Sequence, residues 1–382
     1  MIVQLEGVGF NNKGAELMAH AVFQEITNTY ENGIVALGVN IGNYHQRIQV
    51  GFHHLLEKDF KKFPPLRPML NTFARLIPET FRRSNHIVNS AEIHAVLDAS
   101  GYAYSDHWPT ATEAKAERIT KWKRDGKKVI LLPQAFGPFD NPRVRSAATR
   151  IISSCDLIFP RDTESYDYLV DLNGPDPKIR IAPDFTNLVK GNTPNYFNAV
   201  SPQPCIIPNY QMIAKTQEGV RDSYIEFLLK TVRYLFNENC EPFLLIHQAT
   251  TDEELAKKLQ AEIKCPLKII FEPNALYIKG ILGNCSAVIS SRFHGLVSAL
   301  SQSVPSLGTG WSHKYRLLFE DYSCPECLVS PLDPDEIIFE KINLLIDSSN
   351  RAEIVERLTL AGKEQKKLAA NMWTEVHKVL QQ

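Results

Sequence analysis

Short apolar runs alternate with helical patterns along almost the whole chain, and this alternation limits the possible folds more than any other feature. In the first half the runs fall at 2–5, 34–38, 95–99, 128–132, 157–159 and 179–182. In the second half they fall at 205–208, 243–246, 268–271, 287–290 and 305–307. Several, such as Val129-Ile130-Leu131-Leu132, have no polar side, as expected of strands covered on both faces. Helices are predicted between them. Leu17, Ala21, Val22 and Ile26 mark one over 15–27; Tyr224, Phe227, Leu228, Val232 and Leu235 mark another over 222–237. Others are predicted over 114–124, 252–263, 335–346 and 351–367, the last two separated by the polar turn Asp347-Ser348-Ser349-Asn350. Such alternation gives parallel sheets with right-handed crossovers, one per half.

A chain of 382 residues exceeds one ordinary domain. Residues 190–204, rich in Asn, Pro, Gly and Ser, have no periodicity and read as a linker between domains 1–189 and 205–382. The expected fold class is α/β: two Rossmann-like doubly wound domains facing across a cleft, the glycosyltransferase-B layout. Ligands of such sheets bind at the carboxyl ends of the strands.

Charge and cysteine content narrow the function. Forty-two Lys and Arg against 43 Asp and Glu leave a formal charge of -1, which fits neither a basic nucleic-acid binder nor an acidic disordered chain. Seven scattered cysteines make no disulfide framework, and Cys324-Pro325-Glu326-Cys327 is half a zinc site with no second half, so no metal is expected. The opening Met1-Ile2-Val3-Gln4-Leu5 carries no signal-type pattern, and no run reaches the roughly 18 apolar residues that span a bilayer. The chain thus reads as cytoplasmic, with membrane contact at most peripheral to the inner face. The segment 57–83 mixes seven Lys and Arg with Phe60, Phe63, Phe73 and Phe81. It reads as a solvated insertion or a contact to lipid or a charged acceptor, and Pro64, Pro65, Pro68 and Pro78 break any long amphipathic helix there.

The strongest chemical signal is Ser290-Ser291-Arg292-Phe293-His294-Gly295 at the end of an apolar strand. Arg offers a fork of donors to carboxylate or phosphate, and His a proton carrier near neutrality. The helix that follows adds N–H groups for an anion. The bland alternative is a capped strand-to-helix turn. Arg161 follows another strand, where pairing with Asp162 or Glu164 is the competing reading. His313 and Lys314 lie in a glycine-hinged loop after the last strand. After the first strand, Gly7, Gly9 and Gly14 admit close backbone approach, while Asn12 and Glu16 suit hydroxyls. Asp98, Asp106, Tyr102 and Tyr104 do the same after the third, or an Asp caps a helix.

Asn12-Lys13-Gly14-Ala15-Glu16, Pro133-Gln134-Ala135-Phe136-Gly137-Pro138-Phe139, Arg161-Asp162-Thr163-Glu164-Ser165, Ala182-Pro183-Asp184 and Ser291-Arg292-Phe293-His294 together resemble, in order, the motifs of polysaccharide pyruvyltransferases. The resemblance implies phosphoenolpyruvate as donor substrate, no cofactor, and a saccharide acceptor in a polysaccharide or its lipid-linked precursor, with a ketal as product. It makes domain 1–189 the expected acceptor side and domain 205–382 the donor side, and it places catalytic or donor-binding roles on Arg161, Arg292, His294 and Lys314. Asn12, Gly14, Glu16, Asp106, Ser291 and His313 are the expected substrate-binding set. The glycine-rich run usual after the third strand is here Asp98-Ala99-Ser100-Gly101, with one glycine. A nucleotide-sugar glycosyltransferase on the same architecture is the alternative, and a saccharide-binding protein without turnover a third reading.

Overall fold

The computed structural model describes residues 1–56, 77–248, 250–310 and 312–382. They form two units, each built on a parallel sheet. The first sheet comprises β1 (Ile2–Glu6), β2 (Ile34–Gly38), β3 (His53–Leu56), β4 (Ile87–Asn89), β5 (Ala95–Asp98), β6 (Lys128–Gln134) and β7 (Leu157–Pro160), in the order β4-β3-β2-β1-β5-β6-β7. The second comprises β8 (Pro204–Ile207), β9 (Phe243–Ile246), β10 (Lys268–Phe271), β11 (Ala287–Ser290) and β12 (Ser306–Gly308), in the order β10-β9-β8-β11-β12. In each, the chain winds outward one way, returns to the middle, and winds out the other way. Order therefore reverses between β1 and β5, and between β8 and β11, the places where doubly wound sheets open for ligands.

The apolar runs became strands because helices cover both sheet faces. Val96, Val129 and Leu131 pack with Ala116, Ile119, Ala147 and Ile151 in the first core. Ile206, Leu244 and Ile289 pack with Phe227, Leu228, Leu296 and Leu300 in the second. Two strands were not expected: β3 opens on His53-His54 and β4 has three residues, so neither shows an apolar run. The run at 179–182 is not a strand but lies parallel beside β7, through an isolated bridge of Ile179 to Ile158, bonds from Arg180 and Ala182 N–H to Ile158 and Pro160 oxygens, and one from Ile158 N–H to Lys178 oxygen.

The chain does not divide at one cut. The first unit holds Met1–Phe10, Met18–Phe185 and Ala370–Gln382; the second holds Asn11–Leu17 and Thr186–Ala369. The change of unit comes at 185–186, and residues 190–204 stay with the second unit, where Asn192 N–H bonds Leu276 oxygen and Phe197 packs on Phe243. The turn at 347–350 lies between two helices as expected, but most of it belongs to the second: Asp335–Ile346 ends at Asp347, which accepts from the backbone of Ser349 and Asn350, and Ser348–Leu380 runs on for 33 residues. Its end returns to the first unit, where Trp373 packs on Phe185 and Arg180 pairs with Glu375.

Candidate active site

At the carboxyl end of the second sheet, β11 leads into the helix Phe293–Leu300 through Ser291 and Arg292. Ser291 is buried, and its carbonyl accepts from Asn209 Nδ2 at 2.6 Å and from the Tyr315 hydroxyl at 2.9 Å. Its own hydroxyl lies 2.8 Å from that of Tyr224. Ser291, one of the expected substrate-binding residues, ties the loop after β8 to the loop after β11 at the reversal of strand order. A Cβ on Gly295 would lie 2.8 Å from Ile207 Cδ1, so the glycine lets the helix sit close on β8. Arg292 is the N-cap, and its side chain makes no capping hydrogen bond. First-turn N–H groups have no acceptor within a helix and attract anions.

The Arg292 guanidinium is only 6% exposed and lies against Asp252, which is 0% exposed. Nε donates to Asp252 Oδ2 at 2.9 Å, Nη2 reaches both oxygens at 2.5 Å, and Nη1 donates to Gln248 Oε1 at 2.8 Å. Asp252 also accepts from Tyr210 N–H at 3.0 Å. The pair joins the loops after β8, β9 and β11. Expected as an open cation, Arg292 is a braced donor whose charge Asp252 balances.

The turn at Asn12–Glu16 belongs to the same unit. Asn12 makes an antiparallel bridge with Gln248, and Lys13 N–H bonds His247 oxygen at 3.2 Å. Lys13 Nζ bonds Glu16 Oε2 at 2.6 Å and Pro273 oxygen at 2.7 Å, while Glu16 Oε1 accepts from Ala275 N–H at 3.3 Å. Burial pushes the Glu16 carboxyl up, with Lys13 opposing. These polar groups fasten the turn to the loops after β9 and β10. A Cβ at Gly14 would come 2.4 Å from His294 Nδ1, so only glycine leaves room for that imidazole. Sequence spacing had not joined Gly14 to His294; the fold does.

His247, not singled out from the sequence, is the missed residue. It is 3% exposed directly after β9, and its Nδ1 has no hydrogen-bond partner among the described residues. Burial, then Arg292, His294 and Lys13, hold its pKa well below the usual imidazole range. The signal was present: it is the first residue past the apolar run Phe243–Ile246, where ligand contacts are expected.

Lys314 opens the helix Lys314–Asp321 and places Nζ 5.5 Å from the Phe293 ring centroid, which brings it to the Arg292–His294 junction. His313 is the N-cap of that helix and bonds Leu317 N–H through its oxygen.

In the first unit, Arg161 pairs with Asp184 at 3.1 Å, the two being 6% and 3% exposed. Asp162 caps the next helix by accepting from Ser165 N–H at 2.7 Å, and Ser165 Oγ accepts from Phe136 N–H at 2.9 Å. Three of the sequence motifs thus interlock as one brace. Asp106 accepts from the backbone of Asp140 at 2.7 Å and of Asn141 at 3.3 Å, anchoring a loop. Residues 57–76 of the basic, aromatic segment lie outside the described residues; of the rest, Arg82 and Arg83 pair with Glu92. Among the described residues no helix is long and apolar enough to cross a membrane.

Solved structures share the fold. A putative UDP-N-acetylglucosamine 2-epimerase from Listeria monocytogenes aligns with TM-score 0.58 and 13% identity, over 97% of this chain and 93% of that one. HepE of Anabaena, solved with UDP-glucose, aligns with TM-score 0.59 and 10% identity, over 100% and 99%. UDP-GlcNAc 2-epimerase of Neisseria meningitidis, bound to UDP-GlcNAc, gives 0.58 and 10%, over 98% and 99%. The fold is α/β and glycosyltransferase-B-like. A family model described as polysaccharide pyruvyl transferase matches residues 12–313.

Proposed function

Because the chain belongs to the polysaccharide pyruvyl transferase family, we propose that it moves a pyruvyl group from phosphoenolpyruvate onto hydroxyls of a sugar in a polysaccharide or its precursor, forming a ketal. The observation that carries this reading is the seat of His294. The imidazole lies at a helix start, against a position that only glycine can fill, with Lys314 beside the same junction.

The chemistry needs an anion held and protons moved. One sugar hydroxyl oxygen bonds to the central enol carbon, and a proton converts the terminal CH2 to methyl. A second hydroxyl then replaces phosphate at the same carbon, and its proton leaves with the phosphate. No electrons are exchanged with an outside partner and no water is consumed. In this reading His294 carries the proton, while Lys314 and the N–H groups at the start of Phe293–Leu300 hold carboxylate and phosphate. Arg292, braced by Asp252 and Gln248, adds directed donors without net charge. Arg161, balanced by Asp184, braces the first unit.

Mass spectrometry of a saccharide panel incubated with phosphoenolpyruvate tests the reading: a mass gain of pyruvic acid less water, with phosphate released, is expected. His294→Ala should lower turnover by roughly a hundred- to ten-thousandfold, the usual size of a general acid–base contribution. Near-wild-type turnover removes His294 from the mechanism. The UDP-sugar complexes among the structural neighbours favour a second reading, a nucleotide-sugar glycosyltransferase. Stabilisation by UDP and not by phosphoenolpyruvate in a thermal-shift assay would select it.

A further inference from the structure

Nothing in the proposed chemistry uses His247, yet its position is unusual for a core histidine. It stands at a strand's carboxyl end with Lys13 on its own carbonyl. Its imidazole lies within electrostatic reach of Lys13, Arg292 and His294. Of these neighbours, Arg292 is balanced by Asp252 and Lys13 by Glu16, so the charges around it are fixed by partners other than His247. A buried polar nitrogen left without a partner is costly, and native proteins keep such atoms chiefly where a ligand or water completes them.

We propose that His247 is a donor-contacting residue, whose Nδ1 gives one uncharged hydrogen bond to the anion bound at the start of the helix Phe293–Leu300. The inference rests on the pyruvyl-transfer reading and adds a residue to its donor site. Carboxylate and dianionic phosphate oxygens only accept hydrogen bonds, so the ring carries its proton on Nδ1 when the donor is bound. The cationic neighbours and the burial keep the ring neutral. A neutral N–H directs an anion without adding charge, and it leaves His294 as the histidine that exchanges protons.

The atom can be tested because two amides mimic different ring nitrogens. The Asn side chain places its NH2 near Nδ1, whereas Gln reaches toward Nε2. Phosphoenolpyruvate binding by calorimetry to the full-length protein, with melting temperatures alongside, compares wild type with His247→Asn, His247→Gln and His247→Leu. Loss of a hydrogen bond to a charged group predicts roughly ten- to hundredfold weaker binding for Gln and Leu, with Asn within about threefold of wild type. Wild-type affinity in His247→Leu, or equal affinity in Asn and Gln, overturns the proposal. Should His247→Leu not fold, the Asn and Gln pair decides alone. If wild type binds no phosphoenolpyruvate, the pyruvyl-transfer reading falls and takes this inference with it. Binding in wild type that is indifferent to His247 sinks this inference only.

Discussion

The two units wind their sheets alike but furnish the reversal of strand order with opposite chemistry. In the first, β1 and β5 end in Glu6 and Asp98, each held by a cation: Arg118 at 2.8 Å and Lys115 at 2.7 Å. Burial works to raise the Asp98 carboxyl, but Lys115 and Ser100 outweigh it and hold it below the usual range. In the second, β11 passes into a helix within two residues, and its loops carry imidazoles and a braced guanidinium. Carboxylates with their cations suit neutral hydroxyls; a helix start with histidines suits an anion. In the proposed reading one topology serves two kinds of ligand chemistry, chosen by the residues at and just past each strand's carboxyl end.

The largest test of this comparison removes the carboxylate from each unit's buried ion pair. Breaking a buried pair leaves an uncompensated charge and costs about 3–5 kcal/mol. Asp252→Ala and Asp184→Ala should each lose stability on that scale in urea unfolding. Only Asp252→Ala should also abolish phosphoenolpyruvate-dependent stabilisation at temperatures where the protein stays folded. Equal loss of ligand response in both would erase the distinction between the units.

A smaller change sharpens the site itself. Gly14→Ala puts a methyl 2.4 Å from His294 Nδ1, so the imidazole must move. A misplacement of about 1 Å costs roughly a hundredfold in turnover. In the first unit, Gly7→Ala is also strained, at φ +77 with a Cβ 2.2 Å from Ser100 Oγ. It should lower stability without moving His294. Wild-type turnover in Gly14→Ala would mean that the glycine only eases packing.

The sequence made the strands of both cores legible, because parallel strands buried on both faces are continuous in apolar residues. It also located Asn12–Glu16, Arg161, Asp184 and the Arg292–His294 segment. What it could not supply was partnership. Arg292 finds Asp252 40 residues away, Arg161 finds Asp184 23 away, and Gly14 meets His294 across most of the chain. Nothing local encodes such pairs, so the bracing of Arg292 and Arg161 shows only in the fold. The short strands β3 and β4 and the return of the last helix to the first unit escaped for the same reason: tertiary packing, not periodicity, decides them.

Acid stability separates the units next. Burial first, then His86 and Arg83, lower His53 to about 4; burial, then Arg47 and His86, lower His54 to about 4. The unfolded imidazoles titrate near 6.5 and bind protons that the folded ones refuse. Stability of the first unit is therefore full above pH 6.5 and falls as pH drops toward 4. Urea midpoints followed by fluorescence, with Trp122 buried in that unit's core, should decline over this range. The double variant His53→Gln, His54→Gln should flatten the decline; an unchanged slope would assign it to other groups.

The smallest expected effect concerns the tie at the second reversal point. Tyr315→Phe removes the hydroxyl that bonds Ser291 oxygen at 2.9 Å, but Asn209 Nδ2 still reaches that oxygen at 2.6 Å. The carbonyl stays satisfied, so the loss should lie near the low end of about 0.5–1.5 kcal/mol. The melting temperature should then fall by roughly 1–3 °C, given about 2–4 °C per kcal/mol for a unit this size. Donor affinity should hold within about twofold, since Asn209 and Tyr224 keep the loops joined. A tenfold loss of affinity with an unchanged melting temperature would show that the Tyr315 hydroxyl sets the donor seat rather than the scaffold, and that the second unit's site extends past the helix start to the base of Lys314–Asp321.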